Sequence, residues 1–119
     1  MLNGAQILIC EDEPFIALHL ATSVEDAGGK VIGPAASIAE AFSLLDSTEV
    51  VGAILDVHLI DGDITPIAER LLASSIPMVV QTGVGLPDGL KSREPAIPVL
   101  SKPVLPLRLI EILAGALSK

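Results

Sequence analysis

Five short apolar runs recur along this chain: Ile7–Cys10, Val31–Ala35, Val51–Leu55, Met78–Val80 and Ile97–Leu100. Each is continuous rather than alternating, a pattern that suits a strand covered on both faces, as in a parallel sheet. Parallel strands need crossover connections, and the intervening segments read as helices. Pro14 suits a first helical turn. Ile16, Leu20, Val24 and Ala27 follow at helical spacing until Gly28-Gly29 stops them. Ser37-Ile38-Ala39-Glu40 has the form of a capping box, ahead of a stripe of Ile38, Ala41, Phe42 and Leu45. Thr65-Pro66 opens a third helix carrying Ile67, Leu71 and Leu72, which ends before Pro77, and Pro106 opens a last one toward Leu117. Between Gly83 and Pro95 the residues GVGLPDGLKSREP include three glycines and two prolines, so a fourth helix there is weak or short. The series predicts a three-layer α/β domain, a doubly wound five-stranded parallel sheet with right-handed crossovers.

Composition narrows what such a domain can do. At 119 residues the chain is the size of one domain and can bury a core. Its formal net charge of −8 argues against a phosphate-backbone partner such as DNA or RNA. Phe15 and Phe42 are the only aromatics, too few for a base-stacking platform. No tract of apolar residues is long enough to span a membrane, and MLNGAQ lacks the basic start of a signal peptide. A lone cysteine, Cys10, permits no internal disulfide, which fits a reducing cytoplasm.

In an open parallel sheet, ligands sit beyond the carboxyl ends of the strands. That rule gathers scattered polar residues into one constellation. Glu11-Asp12-Glu13 follows the first run, Asp56 the third, Thr82 the fourth and Ser101-Lys102 the fifth. The motifs ILICEDEP, AILDVHLIDGD, VVQTG and VLSKP, in this order, resemble the receiver domain of two-component response regulators over almost the full length. The resemblance implies the strand order 2-1-3-4-5 of flavodoxin-like sheets. It also implies that residues 1–119 form one receiver domain without an output domain.

Residue by residue, the resemblance makes Asp56 the phosphoacceptor, Thr82 the hydroxyl that contacts the phosphoryl group and Lys102 its cationic partner. Glu11, Asp12 and Asp56, with the backbone carbonyl of His58, would hold Mg2+. A hard cation of this kind takes oxygen ligands, and without it three carboxylates in one place repel one another. The implied function is that of a cytoplasmic phosphoacceptor, not an enzyme on an external substrate. It would be phosphorylated by a sensor histidine kinase or a histidine phosphotransfer protein and would signal through protein contacts. Two alternatives are a pseudo-receiver that only binds partners and a small α/β phosphotransferase or hydrolase. The full set of Asp56, Thr82, Lys102 and the acidic pair favours the first reading over the pseudo-receiver, and short pocket-side loops without substrate-binding insertions count against the phosphotransferase or hydrolase.

Other residues read as ordinary. Glu13 suits a helix start, Asp61 and Asp63 suit turns and caps, and Cys10 suits a buried strand. His19 and His58 form no zinc motif. GVGLPDG fails as a dinucleotide fingerprint because its last glycine is one position late and Pro87 interrupts it.

Two departures from the family stand out. Val99 occupies the place, three residues before Lys102, where receivers commonly carry an aromatic, and VVQTG lacks the phenylalanine of a Phe-Ala-Thr-Gly subgroup it otherwise resembles. Phosphorylation is therefore expected to act through ordering of Gly83–Pro95. The last helix, PLRLIEILAGALSK, carries only Arg108, Glu111 and Lys119 as charges, so a homodimer or docking face through Leu107–Leu117, with the first helix, is expected.

Overall fold

The computed structural model describes residues 1–93 and 96–118. Glu94, Pro95 and Lys119, which the sequence reading places in the fourth-helix region and at the last helix's end, lie outside the described residues. The elements follow in order: β1 (Gln6–Cys10), α1 (Pro14–Asp26), β2 (Lys30–Ala35), α2 (Ile38–Ser47), β3 (Gly52–Asp56), β4 (His58–Leu59), β5 (Gly62–Asp63), α3 (Thr65–Ala73), β6 (Met78–Thr82), α4 (Asp88–Lys91), β7 (Val99–Ser101) and α5 (Pro106–Leu117). Strands β2-β1-β3-β6-β7 form one sheet with every pairing parallel. This is the expected 2-1-3-4-5 order, with β4 and β5 set apart as a small antiparallel hairpin.

Strand alternation explains the unbroken apolar runs. Leu8, Cys10, Ala53, Leu55, Met78 and Val80 face a core layer closed by Ala41 of α2, Ile67 and Leu71 of α3 and Leu90 of α4. Ile7, Ile9, Ile54 and Val79 face the opposite layer, closed by Leu20 and Val24 of α1 and Leu109, Ile110 and Leu113 of α5. Both faces of the three central strands are dry, so no polar alternation could survive there.

Helix starts are tied to the loops that carry the site. Glu13 caps α1, its carboxylate accepting from Ile16 N at 2.9 Å. Ser37 Oγ accepts from Glu40 N at 3.0 Å, and the Glu40 carboxylate reaches back to Ala36 N at 2.9 Å. Asp61, at the tip of the β4–β5 hairpin, adds a second cap to α2 by accepting from Ile38 N at 2.6 Å and Ala39 N at 3.1 Å. These N–H groups hold its carboxyl below its ordinary range. Asp63 accepts from Thr65 N at 2.8 Å ahead of α3. Such caps satisfy donors that a helix leaves open at its first turn.

Two features differ from the sequence pattern. The second run is not a plain strand: register slips between Leu8 and Cys10, where Gly33 sits at φ +99° before a cis Pro34. A Cβ at Gly33 would lie 2.7 Å from Ala35 N, so the bulge requires glycine. In α5, Leu109, Ile110 and Leu113 are buried, so its apolar composition is largely used within the fold. What remains outward is Leu107 with its neighbour Leu105, and on α1 Phe15 and Leu18 are exposed as well. The fourth helix is a single turn, as its glycines and prolines dictate.

Ile54 lies between α1 and α5 at the centre of the sheet. Ile54→Ala is expected to cost roughly 2–5 kcal/mol in urea denaturation, whereas exposed Ile60→Ala is expected to cost under about 0.5 kcal/mol.

Candidate functional site

Among the described residues the buried polar or charged side chains are Glu11, Asp56, Gln81 and Thr82. All four stand at or just beyond the carboxyl ends of β1, β3 and β6. Cys10 pairs with Leu55, which sets Glu11 beside Asp56. Asp56 pairs with Gln81. One carboxylate oxygen each from Glu11, Asp12 and Asp56 lies within 4.8 Å of the others, with Asp12 on the solvent side.

Donors surround this acidic group. Asp56 Oδ1 accepts from Val57 N at 2.8 Å, and its Oδ2 accepts from Lys102 Nζ at 3.0 Å. Lys102 Nζ also stands 3.7 Å from Glu11 Oε1. Glu11 Oε2 accepts from Glu13 N at 3.1 Å, and its Oε1 from Gln81 Nε2 at 3.3 Å. Lys102 is aimed inward from the end of β7, where its backbone N donates to Thr82 O at 2.9 Å and a cis Pro103 follows.

One ammonium faces three carboxylates. Burial raises the Glu11 carboxyl most; the Glu13 N–H lowers it, Asp56 raises it further and Lys102 lowers it, and together they push it up to about 7. Burial works against the charge on Lys102, but its bond to Asp56 and the fields of Glu11, Asp56 and Asp12 prevail and raise its pKa. The donor set is all oxygen and under-neutralised, which fits a hard divalent cation.

The sequence-derived residues do not all converge. Glu11, Asp12, Asp56 and Lys102 come together. Thr82 Oγ1 instead accepts from Val84 N at 3.1 Å and donates to Gly85 O at 3.2 Å, inside the loop after β6. His58 begins β4 opposite Asp63 with its side chain exposed, in keeping with a reading that calls only on its backbone carbonyl. Glu13, Asp61 and Asp63 serve as the caps already described, and Cys10 is buried with its thiol pushed up to about 12, chiefly by desolvation. Gln81 escaped the sequence reading. Its signal was a polar residue directly after the fourth apolar run, Met78–Val80, one place before Thr82.

No protein-family model matches the sequence. The phyllosphere-induced regulator PhyR of Methylorubrum extorquens is 32% identical over 119 residues, covering 96% of this chain. The chain spans 44% of that relative's length. SdrG from Sphingomonas melonis Fr1, solved in solution, is 33% identical with a TM-score of 0.78 and coverage of 100% of both chains. A response regulator receiver protein from Sinorhizobium medicae WSM419 shares the fold at a TM-score of 0.84 and 24% identity, over 99% of this chain and 98% of that one. The chain belongs to the response-regulator receiver family, a regulatory fold of signal transduction. Among the described residues no helix is long and apolar enough to cross a membrane.

The raised Glu11 pKa gives a signed prediction. Between about 4.5, its ordinary value, and about 7, the folded state holds a proton that the unfolded chain has released. Its contribution to stability is therefore complete below about 4.5 and is lost as pH rises through about 7. Melting in EDTA should show Tm falling over that interval, and Glu11→Gln should flatten the fall. A Tm that climbs steadily across it in the unaltered protein would contradict the assignment.

Proposed function

We propose that this protein is a phosphoacceptor of two-component signalling, taking a phosphoryl group onto Asp56 from a sensor histidine kinase or histidine phosphotransfer protein. The observation that carries this reading is Lys102 Nζ at 3.0 Å from Asp56, inside a cluster with two further carboxylates. A purely structural Asp at the end of a buried strand needs neither. One Asp56 oxygen attacks phosphorus, forming an acyl phosphate as the bond from phosphorus to the donor breaks and the donor leaves with its electron pair. Lys102 offsets charge on the transferring group, and the Val57 N–H holds the other end of the carboxylate.

The residues suited to hold Mg2+ are Asp12 and Asp56, with Glu11 through water and the backbone carbonyl of His58. When bound, the cation neutralises the clustered carboxylates and phosphoryl oxygens. Thr82 has one hydroxyl proton, now given to Gly85 O. Donating it to a phosphoryl oxygen means giving up that bond, so the β6–α4 loop is where phosphorylation is read. Protein contacts then carry the signal, in the cytoplasm. Exposed Phe15, Leu18, Leu105 and Leu107 offer apolar surface for them, and a homodimer through α5 would use Leu107.

Intact-mass measurement after incubation with Mg2+ and acetyl phosphate tests the chemistry. The expected result is one added phosphoryl group, absent in Asp56→Asn and without Mg2+, and slowed by at least about tenfold in Lys102→Ala. No added mass in the native chain would leave a protein-binding module in place of a phosphoacceptor. Amide exchange over residues 83–93 is expected to slow on phosphorylation, and unchanged exchange would reject this loop as the readout.

A further inference from the structure

Gln81 is a buried amide where the strand pattern calls for a hydrocarbon. Two residues earlier on the same face of the sheet, the cross-strand row is Ile9, Ile54 and Val79, all apolar and fully buried. At the next height it is Glu11, Asp56 and Gln81. The side chain is only 3% exposed, and a buried amide costs stability unless it is bonded. Its bond goes to the acidic cluster, from Nε2 to Glu11 Oε1 at 3.3 Å.

That bond completes a clamp. Glu13 N holds Glu11 Oε2 and Gln81 holds Oε1, so the carboxylate is fastened at both oxygens from different strands' ends. Without Gln81, Oε1 would keep only Lys102, at 3.7 Å. A neutral donor is the suitable chemistry here. It orients a carboxylate without cancelling its charge, whereas a second ammonium would also repel a cation. Groups that hold a metal-binding side chain in place typically govern metal affinity by about 10–100-fold, though they touch no metal.

We propose that Gln81 is a positioning residue for the divalent cation, setting cation affinity through Glu11. This rests on the cation-binding reading above and goes beyond it by assigning a residue outside the acidic set. Gln81 contributes no charge; its effect is to keep one orientation of a carboxylate that would otherwise turn.

The test uses Mg2+ alone. Asn3, Gln6 and Gln81 supply all the side-chain amides of the chain, so their NMR signals are easily told apart. Titration should move the Gln81 amide pair with the midpoint found by calorimetry, and Gln81→Met should weaken binding by about tenfold. Gln6→Met should leave affinity unchanged. In a Glu11→Gln background, Gln81→Met should cause no further loss, which a general packing defect would not reproduce. Equal affinity in the native chain and Gln81→Met would overturn the proposal while leaving the cation site intact. A Gln81 amide that stays still while the native chain binds Mg2+ would do the same, even if the variant does not fold. No binding by the native chain would instead remove the cation reading beneath it.

Discussion

Glu11 and Asp56 stand side by side in a position almost closed to water, with Asp12 at the rim and a single ammonium, Lys102, to answer three carboxylates. Removing like charges from water and pressing them together is costly, and the protein meets that cost with aimed donors rather than with equal countercharge. Val57 N, Glu13 N, Gln81 Nε2 and Lys102 Nζ each take an oxygen of the buried pair. The residual imbalance is what gives the site an appetite for a proton or a hard cation.

The support is uneven. On the acidic side β1, β3 and β6 are dry on both faces, and the hairpin after Asp56 is fastened to α2 through Asp61. On the Thr82 side, a loop bonded to one hydroxyl leads into a single helical turn, with Val84 exposed. Rigid elements suit chemistry that needs fixed geometry, and lightly held segments suit a change that must propagate. In the proposed phosphoacceptor, the tightly held strand ends would bind and the lightly held loop after β6 would report. The division matches a regulatory fold in which a local charge change is read at a nearby surface.

Much of this was legible in the residues. Continuous apolar runs revealed the strands of a covered sheet, and the polar residues after four of the five runs revealed which strand ends meet. Position narrowed the candidates to the strand ends, and the resemblance to receiver domains singled out Glu11, Asp12, Asp56 and Lys102 among them. Gln81 was passed over because it lies between the fourth run and Thr82, and periodicity does not show which face receives a side chain. The bulge at Gly33-Pro34 was hidden because both residues are compatible with an extended edge. The apolar composition of α5 overstated its exposure, since Leu109, Ile110 and Leu113 are consumed by the second core layer.

By itself, the amino-acid sequence determined the order of the five main strands and the helices between them, the parallel character of the sheet and the strand ends where the acidic residues gather. These follow from local periodicity and from the rule that strand ends converge. Only the tertiary structure decided which partner each polar atom takes: Thr82 bound to its own loop, Asp61 spent on α2, and Gln81 set beside Glu11. The last of these depends on register between strands far apart in the chain. One residue of slip in β6 would turn Gln81 to the opposite face.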